Sequence, residues 1–121
     1  MKKLFYLSTC SSCINILKAI TVPTDVQLID LKKQMFTAED LNEMFCRSGS
    51  YEALFNKRSQ KFISSGLKNN SLSDVDYGML LPTDYTFLKR PVLIYENRIF
   101  IGNGIQNIRA LTEFLPKKKD I

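Results

Sequence analysis

The sequence predicts an α/β fold: a four-stranded mixed sheet with a helical insertion between a βαβ half and a ββα half. Three observations predict it. The N-terminal third reads as strand, helix, strand, and the C-terminal part reads as a hairpin followed by a helix. Between them, at about residues 37–84, apolar residues recur at helical spacing behind two side-chain caps. A chain of 121 residues that is 45% apolar suits one domain, residues 1–121, with one core.

Residues 3–8 (Lys-Leu-Phe-Tyr-Leu-Ser) form a short apolar run with the pattern of a buried strand. Thr9 and Cys10 open a helical segment. Its expected inward stripe is Ile14, Leu17 and Ile20, at a spacing of three, with Asn15 and Lys18 facing away. Pro23 ends that region, and Val26, Leu28 and Ile29 mark a second strand. A strand, helix, strand unit of this length implies a right-handed crossover.

Thr37-Ala38-Glu39-Asp40 resembles a capping box with Asp in its last position, and Leu41, Met44 and Phe45 supply that helix's inward stripe. Ser48-Gly49-Ser50 breaks it. A second short helix carries Ala53, Leu54 and Phe55, and Gly66 with Asn69-Asn70 marks a loop. Ser73 caps another helix, with Asp74 and Asp76 in its first turn, where the helix dipole favours acids. Leu80-Leu81-Pro82 stops it. Pro91-Val92-Leu93-Ile94-Tyr95 reads as a strand, Glu96-Asn97 as a turn, and Arg98-Ile99-Phe100-Ile101 as the hairpin partner. Gly102-Asn103-Gly104 leads into a last helix with Ile105, Ile108, Leu111 and Leu115. Helices on both faces of the sheet satisfy all these stripes.

Composition excludes several chemistries. The chain has three cysteines and no histidine. That removes Ser-His and Cys-His pairs, and three thiols leave a structural zinc one ligand short, so no metal is expected. An odd, small cysteine count does not read as a secreted disulfide framework. The net charge of +5 includes the Lys117-Lys118-Lys119 run, which reads as a solvated tail. The remaining basic residues are scattered, so direct nucleic-acid binding is not expected. The apolar run Leu4–Leu7 is too short for a signal core, and no stretch is long enough to span a membrane. The expected location is the cytoplasm.

Cys10-Ser11-Ser12-Cys13 is the chemistry-bearing motif. Cysteine reacts as thiolate, and a free cysteine has a pKa of about 8.5. Cys10 follows a strand and stands at the mouth of a helix, where unpaired N–H groups favour an anion. Cys13 lies one turn on. Cys10 can attack a disulfide or an oxidised substrate, and Cys13 can then attack the adduct and release the product. Cys46 has no local partner, follows Phe45, and reads as a core or half-exposed thiol. Arg90 directly precedes the strand that begins at Pro91, and a cation there would lower the thiolate pKa and bind an oxyanion or carboxylate. Pro91 stands at a strand start, where an X–Pro bond can be cis. A cis bond would leave the preceding backbone open to a docked substrate. Arg58, in Asn56-Lys57-Arg58-Ser59, is the other candidate cation.

The sequence resembles the arsenate reductase–Spx family of thioredoxin-fold proteins. The matching pieces are Tyr6-Leu7-Ser8-Thr9-Cys10-Ser11-Ser12-Cys13, Tyr51-Glu52-Ala53-Leu54-Phe55-Asn56-Lys57-Arg58-Ser59 and Phe87-Leu88-Lys89-Arg90-Pro91-Val92-Leu93-Ile94, with Ile101-Gly102 before the last helix. The resemblance implies a thioredoxin-like fold with the family's helical insertion. It implies Cys10 as nucleophile and Arg58 and Arg90 near the anion that the cysteine meets. The sequence departs from the reductases in two places. The arginine they carry after the hairpin is replaced in the Ile101-Gly102 stretch, and Cys13 is the Spx-like arrangement. Both departures weaken arsenate as the implied substrate and leave thiol chemistry intact.

The expected function is therefore a thiol-disulfide oxidoreductase, with Cys10 attacking and Cys13 resolving. Its substrate would be a small oxyanion or a disulfide, bound with the help of Arg58, Arg90 and Pro91. No bound cofactor is expected, and glutathione or a protein thiol would donate electrons. The alternative is an Spx-like redox-sensing transcriptional regulator that acts through a protein partner.

Overall fold

The structure is a computed structural model that describes residues 1–115. The Lys117–Lys119 run lies outside them. The strands are β1 (Lys2–Tyr6), β2 (Gln27–Asp30), β3 (Val92–Tyr95) and β4 (Arg98–Ile101). The helices are α1 (Ser11–Ala19), α2 (Ala38–Ser48), α3 (Gln60–Ser65), α4 (Asp74–Leu80) and α5 (Ile105–Phe114). The chain forms two compact units: residues 1–34 with the segment from Arg90 onward, and residues 35–89.

The first unit holds a four-stranded mixed sheet of order β2-β1-β3-β4. β1 pairs with β2 in parallel and with β3 antiparallel, and β3 pairs with β4 antiparallel. The register sets Leu4 opposite Leu28 and Leu93, and Leu93 opposite Phe100. Leu4, Leu93 and Phe100 form one cluster with Ile16 of α1, Ile20 at its C-cap, and Leu111 and Leu115 at the end of α5. Both helices therefore pack on the same face of the sheet. Each such side chain contributes about 1.5–3 kcal/mol when fully buried. Alternation along the strands turns Phe5, Val92 and Ile94 to the opposite face, where they are also buried.

Two details differ from the sequence pattern. The buried residues are Cys13 and Ile16 in α1 and Ile20 at its C-cap, whereas Ile14 and Leu17 are only partly covered. A spacing of three is satisfied by neighbouring stripes of one helix, and the sheet chose between them. In α5, Ile105 is 73% exposed, because the first turn projects past the cluster that buries Leu111.

The second unit is built on capped helices and aromatic packing. Thr37 and Asp40 form the expected capping box on α2, and Ser73 and Asp76 form one on α4. Each cap is worth about 0.5–2 kcal/mol. α3 has no counterpart in the sequence pattern: it is six residues long, lacks a side-chain cap and buries only Phe62. The expected short helix at 53–55 is a 3-10 turn, Glu52–Leu54. Phe55 meets Phe62, Tyr77 and Phe87 with ring centroids 4.8, 5.0 and 5.2 Å away. Phe45 stacks on Tyr51 at 4.2 Å, and Tyr51 in turn covers Gly78 of α4.

A methyl group on Gly78 would lie 2.7 Å from the Tyr51 ring, which the Phe45 stack prevents from yielding. Gly→Ala inside a helix ordinarily stabilises. Here the overpacking should reverse that sign: Gly78→Ala should cost about 1–3 kcal/mol. Urea unfolding of both proteins checks it, and an equal or higher midpoint for the variant would refute the close-packing argument.

Candidate active site

β1 ends at Tyr6, and the chain turns at Leu7 into α1. The Cys10 N–H donates to the Leu7 carbonyl at 3.0 Å and closes that turn. Cys10 is the N-cap of α1, in extended backbone conformation, and its carbonyl accepts from the Ile14 N–H at 3.1 Å. Its side chain is partly exposed. Cys10 thus stands where the first helical N–H groups have no intrahelical partner.

Opposed influences act on the Cys10 thiol. Partial burial pushes its pKa up. Hydrogen bonds from the Cys13 main chain and thiol, the positive charge of Arg90 and a hydrogen bond from the Ser12 N–H pull it down, and the net shift is downward. Cys13 behaves in the reverse way. It is 0% exposed, and burial pushes its pKa up to about 11, against a lowering hydrogen bond from Leu7. A neighbouring Cys10 anion raises it further. The pair therefore holds one accessible thiol inclined to ionise and one buried thiol that retains its proton.

Arg90 stands two residues before β3, half-buried, and the Arg90–Pro91 peptide bond is cis. Pro91 is buried, and its carbonyl accepts from the Gly102 N–H at 2.8 Å. Gly102 has φ +84°, in the left-handed region that favours glycine. The Asn107 side chain accepts from the Ile101 N–H at 3.1 Å and donates to the Gly102 carbonyl at 2.7 Å, holding the turn after β4. Sequence reasoning missed Asn107, since an asparagine inside a helix carries no local signal of what it reaches.

Arg58 belongs to the second unit. It is exposed, and its main-chain N–H donates to Asn56 Oδ1 at 3.1 Å. The next residue, Ser59, is buried and its hydroxyl meets that of Thr86 at 2.8 Å. Cys46 is exposed at the end of α2 and is not a core thiol: its neighbour Met44 takes the inward position. Among the described residues no group of three or more histidines, cysteines or acids could hold a metal ion, and no helix is long and apolar enough to cross a membrane.

A four-stranded sheet of this order, with a cysteine pair at the first strand-to-helix turn and a cis-proline at the start of β3, defines a thioredoxin-like protein. The model of the ArsC family matches residues 5–111, and the chain belongs to that family. Solved structures share its fold, three of them as follows. Arsenate reductase from Vibrio cholerae is 15% identical, with a TM-score of 0.67, covering 91% of this chain and 94% of the other. SACOL0876 from Staphylococcus aureus COL is 22% identical, with a TM-score of 0.66 and coverage of 91% and 97%. An arsenate reductase (ArsC) related protein from Brucella melitensis is 19% identical, with a TM-score of 0.61 and coverage of 90% and 92%. A search of curated proteins returned no match.

On a Cys46→Ser background, iodoacetamide at pH 7 should label Cys10 in the folded protein and spare Cys13 until the chain is unfolded. Arg90→Ala should move the Cys10 titration upward, because it deletes a cation that favours the thiolate. Mass mapping of labelled peptides across pH checks both.

Proposed function

We propose that the protein is a thiol-disulfide oxidoreductase with Cys10 as nucleophile and Cys13 as resolving thiol. The observation that carries this reading is the asymmetry of the pair: Cys10 is reachable and its pKa is lowered, while Cys13 is buried and its pKa is raised. Membership of the ArsC family supports thiol-dependent redox chemistry.

The cycle is a two-electron reduction. The Cys10 thiolate attacks one sulfur of a disulfide substrate, a mixed disulfide forms, and the first product thiolate leaves. Cys13 loses its proton and attacks the Cys10 sulfur, which releases the second product thiolate and leaves a Cys10–Cys13 disulfide. Two equivalents of glutathione, or one protein dithiol, then reduce the pair. With an oxyanion substrate, Cys10 would attack the central atom and displace one oxygen as water, Cys13 would then attack the Cys10 sulfur and release the reduced oxyanion, and Arg90 and the backbone before Pro91 would hold the anion. No bound cofactor, metal or direct nucleic-acid contact enters the proposal, and the reducing conditions it needs are those of the cytoplasm.

A second reading has its own support. The two thiols are close enough to hydrogen-bond, so an oxidant such as a peroxide, taking up their two electrons and two protons, could join them directly in a disulfide, as a redox switch requires. In an Spx-like regulator the disulfide would control binding to a protein partner. Pull-downs under reducing and oxidising conditions separate the two, because a catalyst should retain no partner that depends on oxidation state.

Cys10→Ser should abolish reduction of a glutathione mixed disulfide by a thiol donor. Cys13→Ser should accumulate a glutathione adduct on Cys10 that persists, visible by mass spectrometry. Turnover that survives in Cys10→Ser would exclude the mechanism.

A further inference from the structure

Asp30 ends β2, opposite Tyr6 in the parallel register with β1. It is only 9% exposed. Its Oδ1 accepts the Ser8 N–H at 3.1 Å and the Lys32 N–H at 3.0 Å. The Ser8 hydroxyl also donates to the carboxylate. The Asp30 carbonyl accepts the N–H groups of Lys33 and Gln34, each at 2.9 Å, and the Leu31 N–H returns to the Tyr6 carbonyl at 2.8 Å. One buried carboxylate therefore ties the loop that carries Cys10 to the end of a neighbouring strand. A charge this well covered is uncommon in proteins unless it has partners, and its partners here are main-chain N–H groups of two separate turns.

The loop between β1 and α1 is only Leu7 to Cys10. Whether the Cys10 sulfur meets the N–H groups of Ser12 and Cys13 depends on how Leu7-Ser8-Thr9 bends. Two restraints set that bend: the Cys10-to-Leu7 hydrogen bond within the loop, and the Asp30 clasp from outside it. We infer that Asp30 is a positioning residue for the nucleophile, holding the Ser8–Cys10 turn so that the sulfur stays over the first N–H groups of α1. The inference deepens the proposed thiol chemistry and rests on it.

Geometry and charge make opposite demands on Asp30, and this makes its role measurable. A nearby carboxylate disfavours a thiolate, so deleting its charge alone would leave the Cys10 titration where it is or lower it. Loss of the clasp would let the sulfur leave its donors and raise it. Asp30→Asn keeps an oxygen for the two N–H groups, whereas Asp30→Ala keeps none.

The experiment is the pH profile of Cys10 alkylation by iodoacetamide, in Cys46→Ser protein with and without each Asp30 substitution. Asp30→Ala should slow alkylation at pH 7 by roughly threefold or more and shift the profile upward, towards that of an ordinary thiol. Asp30→Asn should keep the profile at or below that of the parent. An Asp30→Ala profile equal to or below the parent's overturns the inference, as does an Asp30→Asn protein as slow as Asp30→Ala. If the parent itself titrates like free cysteine, the proposed function fails instead, so the two failures are distinct. Should Asp30→Ala not fold, hydrogen exchange in the unsubstituted protein decides. A slowly exchanging Ser8 amide supports the clasp, and exchange at the rate of an unprotected amide overturns it.

Discussion

The chemistry proposed for this protein depends on how one sulfur atom is solvated. Cys10 has lost part of its water, which by itself favours the neutral thiol. What replaces the water is a set of fixed donors, the N–H groups at the start of α1 and the Cys13 thiol, together with the Arg90 charge. Fixed dipoles that already point at the sulfur need no reorganisation when it ionises, so they outweigh the burial. Cys13, one turn deeper, has the burial without a comparable set of donors, and its proton stays on. A single helical turn thus gives two identical side chains opposite exposure and opposite pKa shifts.

The sheet exists, for this purpose, to bring three chain segments to one end. β1 delivers the loop that carries Cys10, β3 begins just after Arg90, and β2 ends at Asp30. The central position of β1, with partners on both sides, makes its register with each neighbour tight. Slippage by one residue would send Leu4 out of the cluster with Leu93 and Phe100 and put Lys3 or the larger Phe5 there. The apolar core that stabilises the unit therefore also sets the distance between the charge and the thiol. The hydrogen bonds from Asn107 and from Gly102 to Pro91 extend the same restraint to the turn after β4.

The second unit is stabilised differently. Its helices are short, and isolated helices of that length are marginal in water. Caps at Thr37 and Ser73 and the aromatic group around Phe55 make up the difference. Asp74 reinforces it by accepting from the Ser50 hydroxyl and from the N–H groups of Tyr51 and Glu52. The caps were legible, because a capping box is a pattern of four consecutive residues. α3 was not, because Phe62 is held by ring contacts with residues distant in the chain and no local signal marks its helix.

Local patterns by themselves determined the order of the strands and of every helix but α3, the capping box at Thr37, the cap at Ser73, the hairpin at Glu96-Asn97, and the placing of a cysteine pair at a strand-to-helix turn. All of these follow from backbone preferences and side-chain periods that operate over a few neighbouring residues. Tertiary structure decided which stripe of α1 faces inward, that Cys13 is sealed while Cys46 is open, and that Asp30 reaches back to Ser8. Nothing in the sequence distinguishes that aspartate from a surface charge at a strand end. Its role arises only when parallel pairing sets β2 beside β1, because burial and hydrogen-bond geometry depend on which distant segments meet.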